Sequence, residues 1–180
     1  MMIKQLKPKG DYSGLVFDSP HSGLEYPEDF YFDCEKTRLD QTADHYVDEL
    51  FDFAPNIGAP LIVAKFPRSY VDVNRARNDL DPLLINDIPH SLLGPLPEDY
   101  RSPVGYGVIR RLVKQGDAIY SHKLEWAEVE KRLQYYDDYR NTLDKHIAEL
   151  KNSIGKIIHI NCHSMPSKIA ITRSAGLGLW

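Results

Sequence analysis

Short apolar runs alternate along this chain with longer stretches of helical period. Leu15-Val16-Phe17, bounded by Gly14 and Pro20, predicts a buried strand over 14–19. From about 35 to 53, Leu39, Ala43, Tyr46, Val47 and Leu50 recur at steps of three or four, so a helix with one apolar stripe is expected there. Pro55, Gly58 and Pro60 stop it. Leu61-Ile62-Val63-Ala64 reads as a second strand. Tyr70-Val71-Asp72-Val73 reads as a third, with Val71 and Val73 on one face and Asp72 and Asn74 on the other. Residues 76–104 are rich in Asn, Asp, Pro and Gly and read as an irregular excursion, a length that in compact domains usually marks function. A short helix is expected over 108–113. The longest helix is expected over 121–151, where Trp126, Val129, Leu133, Tyr136, Leu143, Ile147 and Leu150 form a stripe interrupted by Arg140. A last strand follows over 156–161. The order predicts a single α/β domain over 1–180, with a mixed, mostly parallel sheet flanked by helices.

Composition narrows the function classes. The chain has 180 residues, enough for one domain with a real core. Its formal charge of -4 gives no reason to expect nucleic acid or an anionic membrane as partner. No apolar stretch approaches the roughly 20 residues that span a bilayer. The basic N-terminus lacks the apolar core of a secretory signal, so cytoplasm is the default expectation. Cys34 and Cys162 form no spacing motif and read as reduced thiols.

Two His-Ser pairs carry the candidate chemistry. His21 and His163 each follow an apolar run, so each imidazole is expected just beyond the carboxyl end of a strand, where α/β proteins collect ligands. Two imidazoles and one carboxylate would make a catalytic zinc site. Asp40, Asp44 and Asp48 lie four apart on the expected helix, and Asp44 is the preferred third ligand. His159, Asn161 and His163 share one strand face. Cys162 therefore points away from the site, Asn161 is placed to orient a ligand, and His159 reads as a satisfied core histidine. Arg75, at the end of the third expected strand, presents a fork that matches a carboxylate, with Asn74 as an added donor and Asp72 to orient it. The alternative is a surface Arg75 balanced by Asp79 or Asp81. Arg110 and Arg111 add positive charge, at least one of them as a solvated helix end.

These segments carry a resemblance. Ser19-Pro20-His21-Ser22-Gly23 with Tyr26-Pro27, Asp44 to Leu50, Val71-Asp72-Val73-Asn74-Arg75, Gly107-Val108-Ile109-Arg110 and Cys162-His163-Ser164-Met165-Pro166 occur in order. Together they resemble the N-formylglutamate amidohydrolase family. The resemblance implies a phosphorylase/hydrolase-like α/β fold related to zinc carboxypeptidases and aspartoacylases. It further implies hydrolysis of an N-formyl- or N-acyl-amino acid, with one Zn2+ on His21, Asp44 and His163. Asn74, Arg75 and Arg110 would bind a small acidic N-acyl amino acid. Iron, cobalt or manganese would also suit these ligands.

Two departures from the family pattern matter. The family carries Asp where this chain has Asn161. The family also continues past the His-Ser-Met-Pro element with further strands and a glutamate suited to be a general base, whereas residues 164–180 contain no Asp or Glu. The chain is therefore expected to lack the C-terminal third of the domain. Glu25, close to His21 in sequence, is the internal candidate for the base. An uncovered sheet edge, with Ile169-Ala170-Ile171 and Leu177-Gly178-Leu179-Trp180 beyond it, predicts self-association. A non-catalytic relative that binds metal or an acidic metabolite, and an amidase or carboxypeptidase-like peptidase, are the competing readings.

Overall fold

The computed structural model describes residues 2–92, 97–114 and 116–165. The expectations for Ile169-Ala170-Ile171 and Leu177–Trp180 lie outside the described residues. Strand β1 (Ile3–Leu6) runs antiparallel to β3 (Leu61–Ala64), and β2 (Leu15–Ser19) lies parallel to both β3 and β6 (Ile158–Asn161). The sheet order is β1-β3-β2-β6. This is a mixed, mostly parallel α/β sheet, as the sequence predicts. Strand β1 is too short and polar to register in the pattern: only Ile3 and Leu6 are half-buried.

Both faces of the central strands are covered, which explains their unbroken apolar runs. On one face Val16, Ile62 and Ala64 pack against Val129, Leu133, Tyr136 and Leu143 of α3 (Trp126–Ile154). On the other, Phe17, Leu61, Val63 and Cys162 pack against Val47 and Ala54. Helix α3 starts at a capping box between Glu125 and Glu128 and ends at Gly155, whose φ of 82° lies in the left-handed region. Its buried stripe includes Arg132, 1% exposed, whose guanidinium stacks over Phe30, Tyr70 and Tyr120. Arg140 stands half-exposed, 3.9 Å from Asp144.

Three expectations are corrected. The helix expected over about 35–53 is two short pieces, α1 (Lys36–Asp40) and α2 (Val47–Leu50). Between them the Asp44 amide donates to the His21 carbonyl at 2.9 Å, and Tyr46 sits at φ 64°, so the chain leaves the helical path. Tyr46 and Leu50, placed on the apolar stripe, are 72% and 68% exposed. The strand expected at Tyr70–Val73 is a buried turn: Asp72 Oδ1 accepts the Asn74 amide and the Asp72 carbonyl accepts the Arg75 amide. The helix expected over 108–113 is replaced by a hairpin of β4 (Leu112–Lys114) and β5 (Asp117–Ala118). The 76–104 excursion is irregular where described, with 3₁₀ turns at His90–Leu92 and Ser102–Val104.

Among the described residues β6 is the last strand of the sheet on its side, and Ile158 on it is 63% exposed. Among the described residues no helix is long and apolar enough to cross a membrane.

Candidate metal centre

Because β2 and β6 are parallel neighbours, their carboxyl ends deliver His21 and His163 to the same edge of the sheet. His21 lies two residues beyond β2 and is 2% exposed. The turn after it passes so close to β3 that a Cβ on Gly23 would fall 2.2 Å from the Lys65 carbonyl carbon, so only glycine fits. His163 lies two residues beyond β6, its side chain one-third exposed. The break between α1 and α2 carries Asp44 to meet them. Asp44 Oδ2 lies 2.8 Å from His163 Nδ1 and 3.6 Å from His21 Nδ1, and the imidazole centroids are 4.8 Å apart. One ligand atom from each of the three falls within 4.8 Å of the others.

Of the three aspartates considered from sequence, Asp44 is the one in this cluster. Asp40 accepts from Tyr26 Oη at 2.8 Å and from Lys36 at 3.0 Å, and the Asp48 amide donates to Ser22 Oγ. The equivalence of the three on one helical face is lost with the helix itself.

The sequence reading missed the partner of His21. Asp72, 1% exposed, takes His21 Nε2 at 2.7 Å on Oδ1 and Arg68 Nη2 at 2.9 Å on Oδ2. Burial would raise the Asp72 pKa, but His21 and Arg68 outweigh it and hold the carboxyl well below the usual range. An ionised carboxylate only accepts, so His21 Nε2 carries the proton and Nδ1 faces Asp44. That Nδ1 is buried and has no hydrogen-bond partner among the described residues. Burial also opposes ionisation of Asp44, yet its bond to His163 and the nearby His21 imidazole depress its pKa. Burial lowers the His21 pKa, but Asp72 and then Asp44 prevail and raise it. Two carboxylates around one imidazole thus favour positive charge at this point. The orphaned Nδ1, the carboxylate and the second imidazole fit a divalent cation.

Arg68 is the second residue missed; its signal was the Arg-to-Asp spacing of four ahead of Asp72. Arg75 Nε lies 3.9 Å from the same Asp72 oxygen, so Asp72, and not Asp79 or Asp81, is its carboxylate neighbour. Asp79 instead accepts the amides of Arg101 and Ser102, and Asp81 pairs with Arg111 at 2.7 Å. Arg110 is 9% exposed, stacks over Tyr106 and donates to the Val113 carbonyl. Burial, then the neighbouring Arg68, brings its pKa down to about 10. The Nε atoms of Arg68, Arg75 and Arg110 are all buried without a hydrogen-bond partner among the described residues. A cavity of about 530 Å³ opens beside Asp44, lined by the cations Arg38, Arg68, Arg110 and Lys114.

Glu25 is not brought to this cluster. Its carboxylate pairs with Lys65 Nζ at 2.6 Å and is half-exposed, which removes the proximity that sequence spacing implied. Asn74 is placed differently from a free substrate donor: its carboxamide lies 3.1 Å from His163 Nε2 and 3.0 Å from the carboxamide of Asn161. His159 bonds Asp18 at 2.8 Å from an edge strand, satisfied but not deep in the core. Cys162 points to the opposite face, as expected, and is 2% exposed.

Fold and cluster together define an α/β protein with two histidines and one carboxylate at the carboxyl edge of its sheet. The sequence profile of FGase, N-formylglutamate amidohydrolase, matches residues 13–177, and the chain belongs to that family. It is 24% identical over 160 residues to an N-formylglutamate deformylase of Pseudomonas putida, covering 86% of this chain and 53% of the relative. It superposes on the crystal structure of N-formylglutamate amidohydrolase from Ralstonia eutropha JMP134 with a TM-score of 0.86 and 35% identity, covering 99% of this chain and 62% of that one. The chain thus spans between about half and three-fifths of the length of these relatives. The resemblance read from the ordered motifs is borne out at the level of the family.

Proposed function

We propose that this chain carries the metal-holding and substrate-holding part of a hydrolase acting on the amide of an N-formyl- or N-acyl-amino acid with an acidic side chain. The observation that carries the reading is the buried, unpartnered His21 Nδ1 aimed at Asp44 with His163 beside it. His21, Asp44 and His163 would hold one divalent ion, Zn2+ by donor type. When bound, the ion would polarise the scissile carbonyl and lower the pKa of its water toward about 7. Asp72 keeps the proton on His21 Nε2 and fixes the ring. The unpartnered guanidinium donors of Arg68, Arg75 and Arg110 favour a carboxylate-bearing substrate, held over the cluster so that orientation lowers the barrier. The family membership and the relatives' names support N-formylglutamate as the first substrate to assay. The test is formate release from N-formylglutamate by Zn2+-loaded protein. Release that disappears in Asp44→Asn supports the reading, and release unchanged in Asp44→Asn refutes it.

A second reading, binding of metal or of an acidic metabolite without turnover, is favoured by the pairing of Glu25 with Lys65, which withdraws the internal candidate for a base. Calorimetry showing N-formylglutamate bound with no formate released selects it.

A further inference from the structure

The cations of the cavity beside Asp44 fall into two pairs. Arg38, Arg68, Arg110 and Lys114 all line it, and Asp44 is the sole carboxylate among its described lining residues. Arg68 and Arg110 form the buried pair. Arg110 is 9% exposed, and its Nε, like that of Arg68, is buried without a hydrogen-bond partner among the described residues. Arg68 already gives Nη2 to Asp72 at 2.9 Å. These guanidiniums are fixed in place and hold donors in reserve, which suits one carboxylate of a ligand.

The outer pair is built differently. Arg38 comes from α1 and Lys114 from β4, and their side chains are 43% and 71% exposed. Both converge on a single oxygen of β5, Asp117 Oδ2, at 3.3 Å and 3.6 Å. That oxygen is buried and has no hydrogen-bond partner among the described residues, so charge attraction alone ties the three together. Asp117 does not itself line the cavity. It draws two cations from separate elements to one point and leaves their N–H donors uncommitted to it. Two like charges held this close repel, and one carboxylate offsets that only in part. A second carboxylate, arriving through the cavity, would meet both charges and unused donors.

We propose that Arg38 and Lys114 are specificity-determining residues that take the side-chain carboxylate of an acidic N-acyl amino acid, while the buried guanidiniums take its other carboxylate. This assignment rests on the site proposed above and deepens it: the preference for an acidic side chain is placed on α1 and the β4–β5 hairpin, apart from the histidines. A neutral side chain of the same shape gains nothing at the outer pair, so selectivity there comes from charge and not from size.

The test compares N-formylglutamate with N-formylglutamine, which has nearly the same shape and no side-chain charge. It uses the full Zn2+-loaded chain as wild type, Arg38→Gln, Lys114→Gln and the double variant. Affinity is read as KM where formate is released and by calorimetry where it is not. Wild type is expected to prefer N-formylglutamate by about 10-fold or more, the reach of a hydrogen bond to a charged group. Each single variant is expected to lose part of that preference and the double variant most of it, through a weaker hold on N-formylglutamate. A wild type that binds both ligands alike, or neither, overturns the assignment, as does a double variant that keeps the preference. Equal weakening of both ligands in the variants also overturns it, since Arg38 and Lys114 would then only tie α1 to the hairpin. A preference lost in the double variant, with no formate released by wild type, upholds the assignment and refutes turnover instead.

Discussion

Asp72→Asn isolates the contribution of the carboxylate behind His21. The side chain keeps its shape and loses its charge at a point 1% exposed. His21 Nε2, at 2.7 Å, retains an acceptor only if the new carboxamide presents its oxygen there, which turns the NH₂ toward Arg68 Nη2, at 2.9 Å from the other oxygen. One of the two contacts becomes donor against donor. Loss of the partner behind a metal-ligating histidine lowers affinity by about 10- to 100-fold, or about 1.4–2.8 kcal/mol. The metal-free fold loses in addition about 1–3 kcal/mol from the buried group left unpaired. Isothermal titration with Zn2+ against a competing chelator reads the first effect, and urea unfolding of metal-free protein reads the second. Zn2+ affinity within about twofold of wild type, with unchanged unfolding, would refute the coupling of Asp72 to the cluster.

Four further outcomes follow from particular contacts. Glu25→Gln should leave Zn2+ affinity unchanged and stability within about 0.5 kcal/mol in urea melts, because its carboxylate serves an exposed pair with Lys65. Arg110→Met should reduce the thermal shift given by N-formylglutamate without unfolding the chain, because the buried guanidinium, its Nε without a partner among the described residues, is a donor for a carboxylate. Cys162, pushed up to about 12 by burial and then by Asp18, should resist Ellman's reagent until the protein unfolds. Its unfolded thiol titrates near about 8.5, so the native state binds the extra proton above that pH and Cys162's contribution to stability falls as pH rises, measurable as a change in urea midpoint that Cys162→Ala flattens. Light scattering should show self-association through β6, an edge strand among the described residues, and a monodisperse monomer over a wide concentration range counts against it.

What the sequence discloses depends on how local the deciding interaction is. The buried central strands and α3 were legible because apolar period and punctuation are carried by neighbouring residues. His21 and His163 were legible for the same reason: each sits two residues past such a strand. The helix around Asp44 misled because its apolar period is real but a bond from the Asp44 amide to the His21 carbonyl, distant in sequence, breaks it. The turn at Tyr70–Val73 misled because burial on all sides imitates alternation only where polar residues happen to intervene, and Asp72 is buried as completely as Val71. Glu25 misled because closeness in sequence to His21 does not fix side-chain direction; Lys65 on the neighbouring segment does. The Asp72 and Arg68 contacts and the Asn161–Asn74 line join residues that pattern reading cannot pair.

Metal content of the purified, dialysed protein, set against that of His21→Ala and His163→Ala, tests the central claim most directly. The account predicts one Zn2+ bound per wild-type chain after loading, lost in both variants while circular dichroism shows the fold retained. Wild-type protein that holds no divalent ion, or variants that keep it, would contradict a cation shared by His21, Asp44 and His163.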